Sequence, residues 1–201
     1  MAEQIILFTI TVSYLTLFVQ IALMPKDKLV QRKLLHMGAF GLWVLYLIFN
    51  LNFYVSMVFN IGINIVLAIL SYRTKQYGIT IYGACLLFSM VACHIDANMI
   101  LPTTLSMAIL SFSDGLSALC GFRSSQTLSS INDKTTIGSL VFFLVTCIIL
   151  LPFIDVIIAL ELGLLLTLVE YLSDNKVYKI NDNIMIFSIA LLLLCRCMSE
   201  C

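Results

Sequence analysis

What most restricts this chain is where its charges are not. Long apolar stretches follow one another at about 4–24, 34–50, 52–71, 78–95, 97–121, 137–151, 153–172 and 184–199, with polar connections between them. A helix needs about 20 apolar residues to cross the hydrocarbon core of a bilayer. A soluble domain carries about 25% charged residues, whereas this chain of 201 residues has 11%, with 61% hydrophobic residues and a mean hydropathy of +1.07. Lipid is therefore the expected solvent for most side chains. The expected fold is all-α: a polytopic transmembrane helix bundle of about eight (seven or eight) helices. It forms a single integral membrane domain over 1–201, with no room for a separate soluble one. The sixth and seventh segments must be divided by a short turn at Leu151-Pro152.

The stretch at 4–24 has no basic residue before it and no small-residue cleavage pattern after it, so it reads as a retained helix. The seven cysteines are scattered through apolar segments without zinc spacing and read as buried thiols acting as small hydrophobes.

Charge placement sets the expected topology. Ten of the 11 Lys and Arg residues lie in alternate connections, with Arg196 the exception. By the positive-inside rule those connections face the cytoplasm and both termini lie on the opposite side. The net charge of zero conceals the asymmetry: the cytoplasmic set has ten basic against six acidic residues, and the remainder one against five. Such a rim attracts anionic headgroups and nucleotides, and orientation alone also produces it.

Several polar residues are out of place in apolar surroundings. Asp114, in Ser111-Phe112-Ser113-Asp114-Gly115, sits inside the fifth segment. A carboxylate there costs at least ~2.5–3.5 kcal/mol on insertion scales, so it faces protein or water, as an interhelical anchor or as a working group. At helical spacing Thr104, Met107, Ser111, Asp114, Ala118 and Gly121 are expected on one face. The connection from Phe122 to Thr136 is the longest polar stretch, and it ends in Asp133-Lys134-Thr135-Thr136-Ile137-Gly138-Ser139. Hydroxyl side chains there cap the next helix, and a helix start beside Lys134 and Arg123 suits a phosphate. Glu170 lies near the end of the seventh segment, while Glu161 is expected on the opposite face. Asn181-Asp182-Asn183 opens the eighth, as an N-cap cluster or as a metal-ligating carboxylate with an amide neighbour. Arg32, Lys33 and His36 open the second, and Asn60 and Asn64 in the third are expected to hold helices together.

Segments two, four, six and eight all begin at the same face, so four positive helix ends point one way. His36, Asp114, Lys134, Glu170 and Asp182 come from five segments and are expected at one membrane depth. Carboxylates, basic groups and helix starts at a lipid–water boundary suit a metal–nucleotide complex that transfers phosphate to a lipid headgroup. Mg²⁺ prefers one or two carboxylates plus substrate phosphates, which Asp114 with Asp182 or Glu170 would supply. Phosphoryl transfer rests mainly on positioning and charge neutralisation, so it demands no soluble catalytic domain.

Arg32-Lys33-Leu34-Leu35-His36, Ser113-Asp114-Gly115-Leu116-Ser117-Ala118 with Gly121 and Arg123, Asp133-Lys134-Thr135 with Gly138-Ser139, Glu170, and Asp182-Asn183 occur in this order. In that order and spacing, over residues 32 to about 187, the chain resembles the CTP-dependent polyprenol, phytol and diacylglycerol kinases, which include dolichol kinase. The resemblance implies a cytosol-facing membrane kinase that phosphorylates a lipid alcohol, using CTP as co-substrate with Mg²⁺ or another divalent cation. It implies catalytic roles for Asp114, Lys134, Glu170, Asp182 and His36. The sequence does not name the general base: Asp182, Glu170 and His36 are candidates, beside a metal-bound or substrate-assisted route. Arg32, Lys33, Gly121, Arg123, Lys134, Thr135, Gly138, Ser139 and Asn183 would hold the nucleotide, and Asp114, Glu170 and Asp182 the metal. Two places differ from the family pattern. Ile137 stands where an acidic residue is common, and Ser124-Ser125 where a glycine is usual. The implied partners are a lipid alcohol, a nucleotide and membrane lipids, with no nucleic acid; nothing in the sequence specifies an oligomeric state. The competing readings are a phosphatidate cytidylyltransferase, which has a similar Asp…Lys-Thr…Gly pattern, and a small transporter or membrane scaffold.

Overall fold

A computed structural model describes residues 28–48, 53–74, 78–121, 134–173 and 181–199. The segment expected at 4–24, the connection 122–133 with Arg123, and the side chain of Arg32 lie outside the described residues. The described residues are helical and contain no strand: α1 Lys28–Ile48, α2 Phe53–Thr74, α3 Gly78–Ile95, α4 Ala97–Gly121, α5 Thr136–Leu150, α6 Val156–Ser173 and α7 Asp182–Ser199. Among them α4, α6 and α7 are long and apolar enough to cross a membrane; Lys33–Ile48, Thr80–Ile95 and Thr136–Leu150 are shorter apolar helices.

The short turn expected at Leu151-Pro152 is present. α5 ends at Leu150, Phe153 and Ile154 both donate backbone hydrogen bonds to the Leu150 carbonyl, and Asp155 Oδ1 accepts from Ile157 N at 2.8 Å to cap α6. α1 begins six residues before the apolar stretch expected at 34–50, so Arg32 and Lys33 lie on a helix and not in a loop.

The outward faces are apolar. Exposed Leu140, Leu144 and Ile148 on α5, and Leu164, Leu168 and Leu172 on α6, recur at helical spacing. The buried positions, by contrast, include Ser106, Ser111, Ser113, Thr103 and Thr146. Apolar groups outside and hydroxyls inside is the arrangement a helix in lipid requires, because polar groups there must find partners within the protein.

α4 is the hub. Trp43 Nε1 of α1 donates to Thr104 Oγ1 at 3.0 Å, and Thr146 Oγ1 of α5 donates to Ser113 Oγ at 3.0 Å. Ser111 Oγ gives its single proton to the Met107 carbonyl at 2.6 Å, so the Tyr82 hydroxyl of α3 is the donor in the 2.5 Å contact with Ser111 Oγ. Ser111 and Ser113 both belong to a π turn, Ile109–Ser113, which divides α4 just before Asp114. The single face expected from Thr104 to Gly121 is corrected by it, because a π turn does not keep α-helical spacing. Thr104 meets α1, Ser111 meets α3, and Gly121 meets the start of α5.

Asn64 Nδ2 of α2 donates to the Asn60 carbonyl at 2.9 Å and to the Gly83 carbonyl of α3 at 3.4 Å. The two asparagines thus mark a helix contact, as expected. His94, at the far end of α3, stacks on Phe53 with centroids 3.8 Å apart.

Candidate functional site

The starts of α1, α3, α5 and α7 and the ends of α4 and α6 meet at one end of the bundle. Two lysine–carboxylate pairs form there. Lys33 Nζ of α1 donates to Asp114 Oδ2 of α4 at 2.5 Å, and both side chains are almost fully buried, at 3% and 1% exposure. Lys134, in the connection before α5, donates through Nζ to Glu170 Oε1 of α6. The pairs gather neighbours: His36 Nδ1 lies 4.0 Å from Asp114 Oδ2, and Asp182 Oδ2 of α7 lies 4.0 Å from Lys134 Nζ. His36, Asp114, Lys134, Glu170 and Asp182 are therefore drawn into one cluster, and Lys33 joins them.

Asp114 pairs with a lysine of α1, eighty-one positions away in sequence. Lys33, whose charge reads from sequence as part of a basic rim, lies inside the bundle. The reason is the helix: Lys33 and His36 are three residues apart, so they share the face of α1 that meets Asp114.

The nucleotide-binding candidates divide. Thr135 has extended backbone, and its Oγ1 accepts from Gly138 N at 3.0 Å, so it caps α5. Gly121 and Gly138 face each other across this cap. A Cβ on Gly121 would lie 2.6 Å from Thr135 Oγ1 and 3.5 Å from the Gly138 Cα, and one on Gly138 would lie 3.1 Å from the Ser117 carbonyl oxygen. Two glycines let the end of α4 and the start of α5 approach closely, and this sets Lys134 beside Glu170. Asn183 is buried, and its N–H donates to Asn181 Oδ1 at 3.0 Å and to Asp182 Oδ1 at 2.9 Å. Ser139 Oγ is buried with no hydrogen-bond partner among the described residues. Glu161, by contrast, is exposed on α6, away from the cluster.

Tyr82 belongs to the site and carries no sequence signal, being one aromatic residue in an apolar segment. Its ring stacks on His36 with centroids 5.1 Å apart and planes at 24°, while its hydroxyl holds Ser111 in the π turn. It ties the imidazole to the part of α4 that presents Asp114.

Two carboxylate oxygens of the cluster, Asp114 Oδ1 and Glu170 Oε2, are buried with no hydrogen-bond partner among the described residues. Such oxygens are costly unless something binds them. Burial works against the Lys134 ammonium, but Glu170, Asp114 and Asp182 together outweigh it and hold its pKa above the ordinary lysine value. Lys134 is therefore a cation at neutral pH and suits anion binding, not proton abstraction.

Two orphaned hard oxygens fit a divalent cation. Among the described residues no group of three or more His, Cys, Asp and Glu forms a cage. Mg²⁺ ordinarily completes its shell with water and substrate phosphate oxygens around one or two carboxylates. The donor set thus fits a metal that arrives with a phosphate-bearing substrate. Comparison with protein-family models, with curated proteins and with solved structures finds no match for this chain. Fold and site together define an all-helical protein with helices able to cross a membrane and a buried lysine–carboxylate cluster at one end.

Proposed function

We propose that the protein is a multi-pass membrane kinase. It would transfer the γ-phosphate of CTP, or of another nucleoside triphosphate, to the hydroxyl of an isoprenoid alcohol or diacylglycerol at the cytoplasmic leaflet. The observation that carries this reading is the pairing of Lys33 with Asp114 and of Lys134 with Glu170 where four helices start, each carboxylate keeping one unpartnered buried oxygen. In this reading the chain makes eight crossings. The placement of ten of the 11 basic residues in alternate connections supports a cytoplasmic site with both termini opposite.

The chain's own residues divide the work. Lys134, held as a cation, binds phosphate oxygens; the α5 start capped by Thr135 faces the same charge. Asp114 and Glu170, with Asp182 nearby, would hold Mg²⁺, which when bound neutralises charge on the transferring phosphoryl group. His36, fixed by its stack on Tyr82, lies against Asp114. The exposed Leu164, Leu168 and Leu172 row on α6 offers a lipid chain an apolar path to the level of Glu170.

The test is purified protein in detergent with Mg²⁺ and CTP labelled separately in the γ-phosphate and in the cytidine, offered phytol, farnesol, a long polyprenol and diacylglycerol. Label from the γ-phosphate in an extracted lipid is the expected result. Label from cytidine in the extracted lipid, when phosphatidate is offered in a parallel reaction, would make the protein a cytidylyltransferase, and substrate flux across proteoliposomes by an Asp114→Ala variant would make it a transporter.

A further inference from the structure

We propose that Lys33 and Lys134 are exchangeable counterions. In the resting protein they occupy the carboxylates that a metal must take, and they pass to the phosphates when metal and nucleotide bind together. This rests on the kinase reading and specifies how its site is loaded.

Among the described residues, two ammoniums, Lys33 and Lys134, meet three carboxylates, Asp114, Glu170 and Asp182. Each lysine engages one oxygen of its main partner and leaves the other oxygen, Asp114 Oδ1 or Glu170 Oε2, buried without a hydrogen-bond partner among the described residues. A pair built for permanence would satisfy those oxygens, because a half-satisfied buried network is costly. A lysine is also the cation suited to exchange. Its ammonium rides a flexible four-carbon stem with rotatable donors, whereas a guanidinium fork would lock the carboxylate.

A divalent cation entering at the two orphaned oxygens meets these ammoniums at close range. Like-charge repulsion in a buried site drives them off, yet an ammonium freed there still needs an anion. Lys33 is 3% exposed and cannot simply turn to water. A triphosphate supplies the anion, so the metal alone and the nucleotide alone each bind poorly. The two favour one another by the same factor in both directions, as linkage requires. Lys134, at 16% exposure and poised between Glu170 and Asp182, has the shorter move to make.

The measurement is Mn²⁺ binding to the full chain in detergent micelles by electron paramagnetic resonance, with and without CTP. Bound CTP is followed separately by equilibrium dialysis, so that the Mn²⁺–CTP complex in solution is subtracted. For the unaltered protein, saturating CTP is expected to raise Mn²⁺ affinity roughly 5- to 150-fold, and Mn²⁺ to raise CTP affinity equally. In Lys33→Met, Mn²⁺ alone binds more tightly than to the unaltered protein, and the mutual enhancement shrinks. Equal Mn²⁺ affinity with and without CTP overturns the exchange, as does undiminished enhancement in Lys33→Met; the first comparison needs no variant and can overturn the exchange even where the variant does not fold. Independent binding of both ligands removes the exchange and leaves the kinase reading standing. Failure to bind CTP, and ATP in the same assay, under any of these conditions removes both.

Discussion

The two ends of the bundle use their carboxylates in opposite ways. At the Lys134 end, Asp114 and Glu170 are buried and take their cations from distant parts of the chain. At the far end, Asp96 and Asp155 are exposed, and each accepts a hydrogen bond from the backbone N–H two residues on: Asn98 N at 2.9 Å and Ile157 N at 2.8 Å. The far end also holds an open cleft of about 840 Å³, with Met99, Pro102, Phe153 and Cys195 among its walls. Its polar carboxylates are occupied by local capping, and Cys195 gives its thiol proton to Met99 Sδ at 3.6 Å. A carboxylate that caps the next turn needs only its own neighbourhood. One that lies inside the bundle needs a partner brought from elsewhere in the chain, and it organises the fold around that need.

This contrast can be broken by substitution. The largest effect is expected from Asp114→Ala, which leaves the Lys33 ammonium buried and unpaired. Thermal unfolding in detergent should register a loss of about 3–5 kcal/mol. If the loss is no larger than that of a surface change, Lys33 finds water and the pair is not buried in the sense argued. Next, Lys134→Ala is expected to lower lipid phosphorylation about 10²- to 10³-fold, on the scale of losing one aimed donor to developing charge; near-normal turnover in protein that remains folded would remove Lys134 from the site. Gly138→Ala sharpens the comparison by attacking the close approach beside Lys134, and overpacking there should cost about 1–3 kcal/mol of stability. The smallest effect belongs to the far end. Asp155→Ala loses one N-cap, about 1 kcal/mol, with lipid phosphorylation unchanged. A large fall in phosphorylation from Asp155→Ala would show that the two ends are not separable.

Much of this contrast is legible in the sequence, for a physical reason. Asp114 and Glu170 stand out because a charge in an apolar run is rare and expensive, and Lys134 and Thr135 because they stand at a helix start. The helices that begin near Gly78, Thr136 and Asp182 follow from hydropathy and capping. Pairing is less legible. Lys33 reads as a rim lysine and, through the resemblance, as a nucleotide-binding one, since nothing local tells that α1 turns it inward onto a residue eighty-one positions away. Tyr82 is silent for a similar reason: an aromatic side chain in an apolar segment has the same appearance whether it fills space or holds an imidazole. The π turn is hidden as well, because Ile109–Ser113 differs in hydrogen bonding and not in composition from the helix around it.

That turn has a consequence for how the chain tolerates changes of length. A helix advances about 100° per residue, and the wider π turn takes one extra residue into nearly the same rotation, so removing one residue from Ile109–Ser113 would restore ordinary winding and leave the residues beyond it facing nearly as before. Asp114 would keep Lys33 and Gly121 would keep Thr135, although the chain between the contacts to α1 and α5 had been shortened. A second deletion before Asp114 would find no such slack: it would swing everything beyond it by about 100°, taking Asp114 off Lys33 and Gly121 off Thr135.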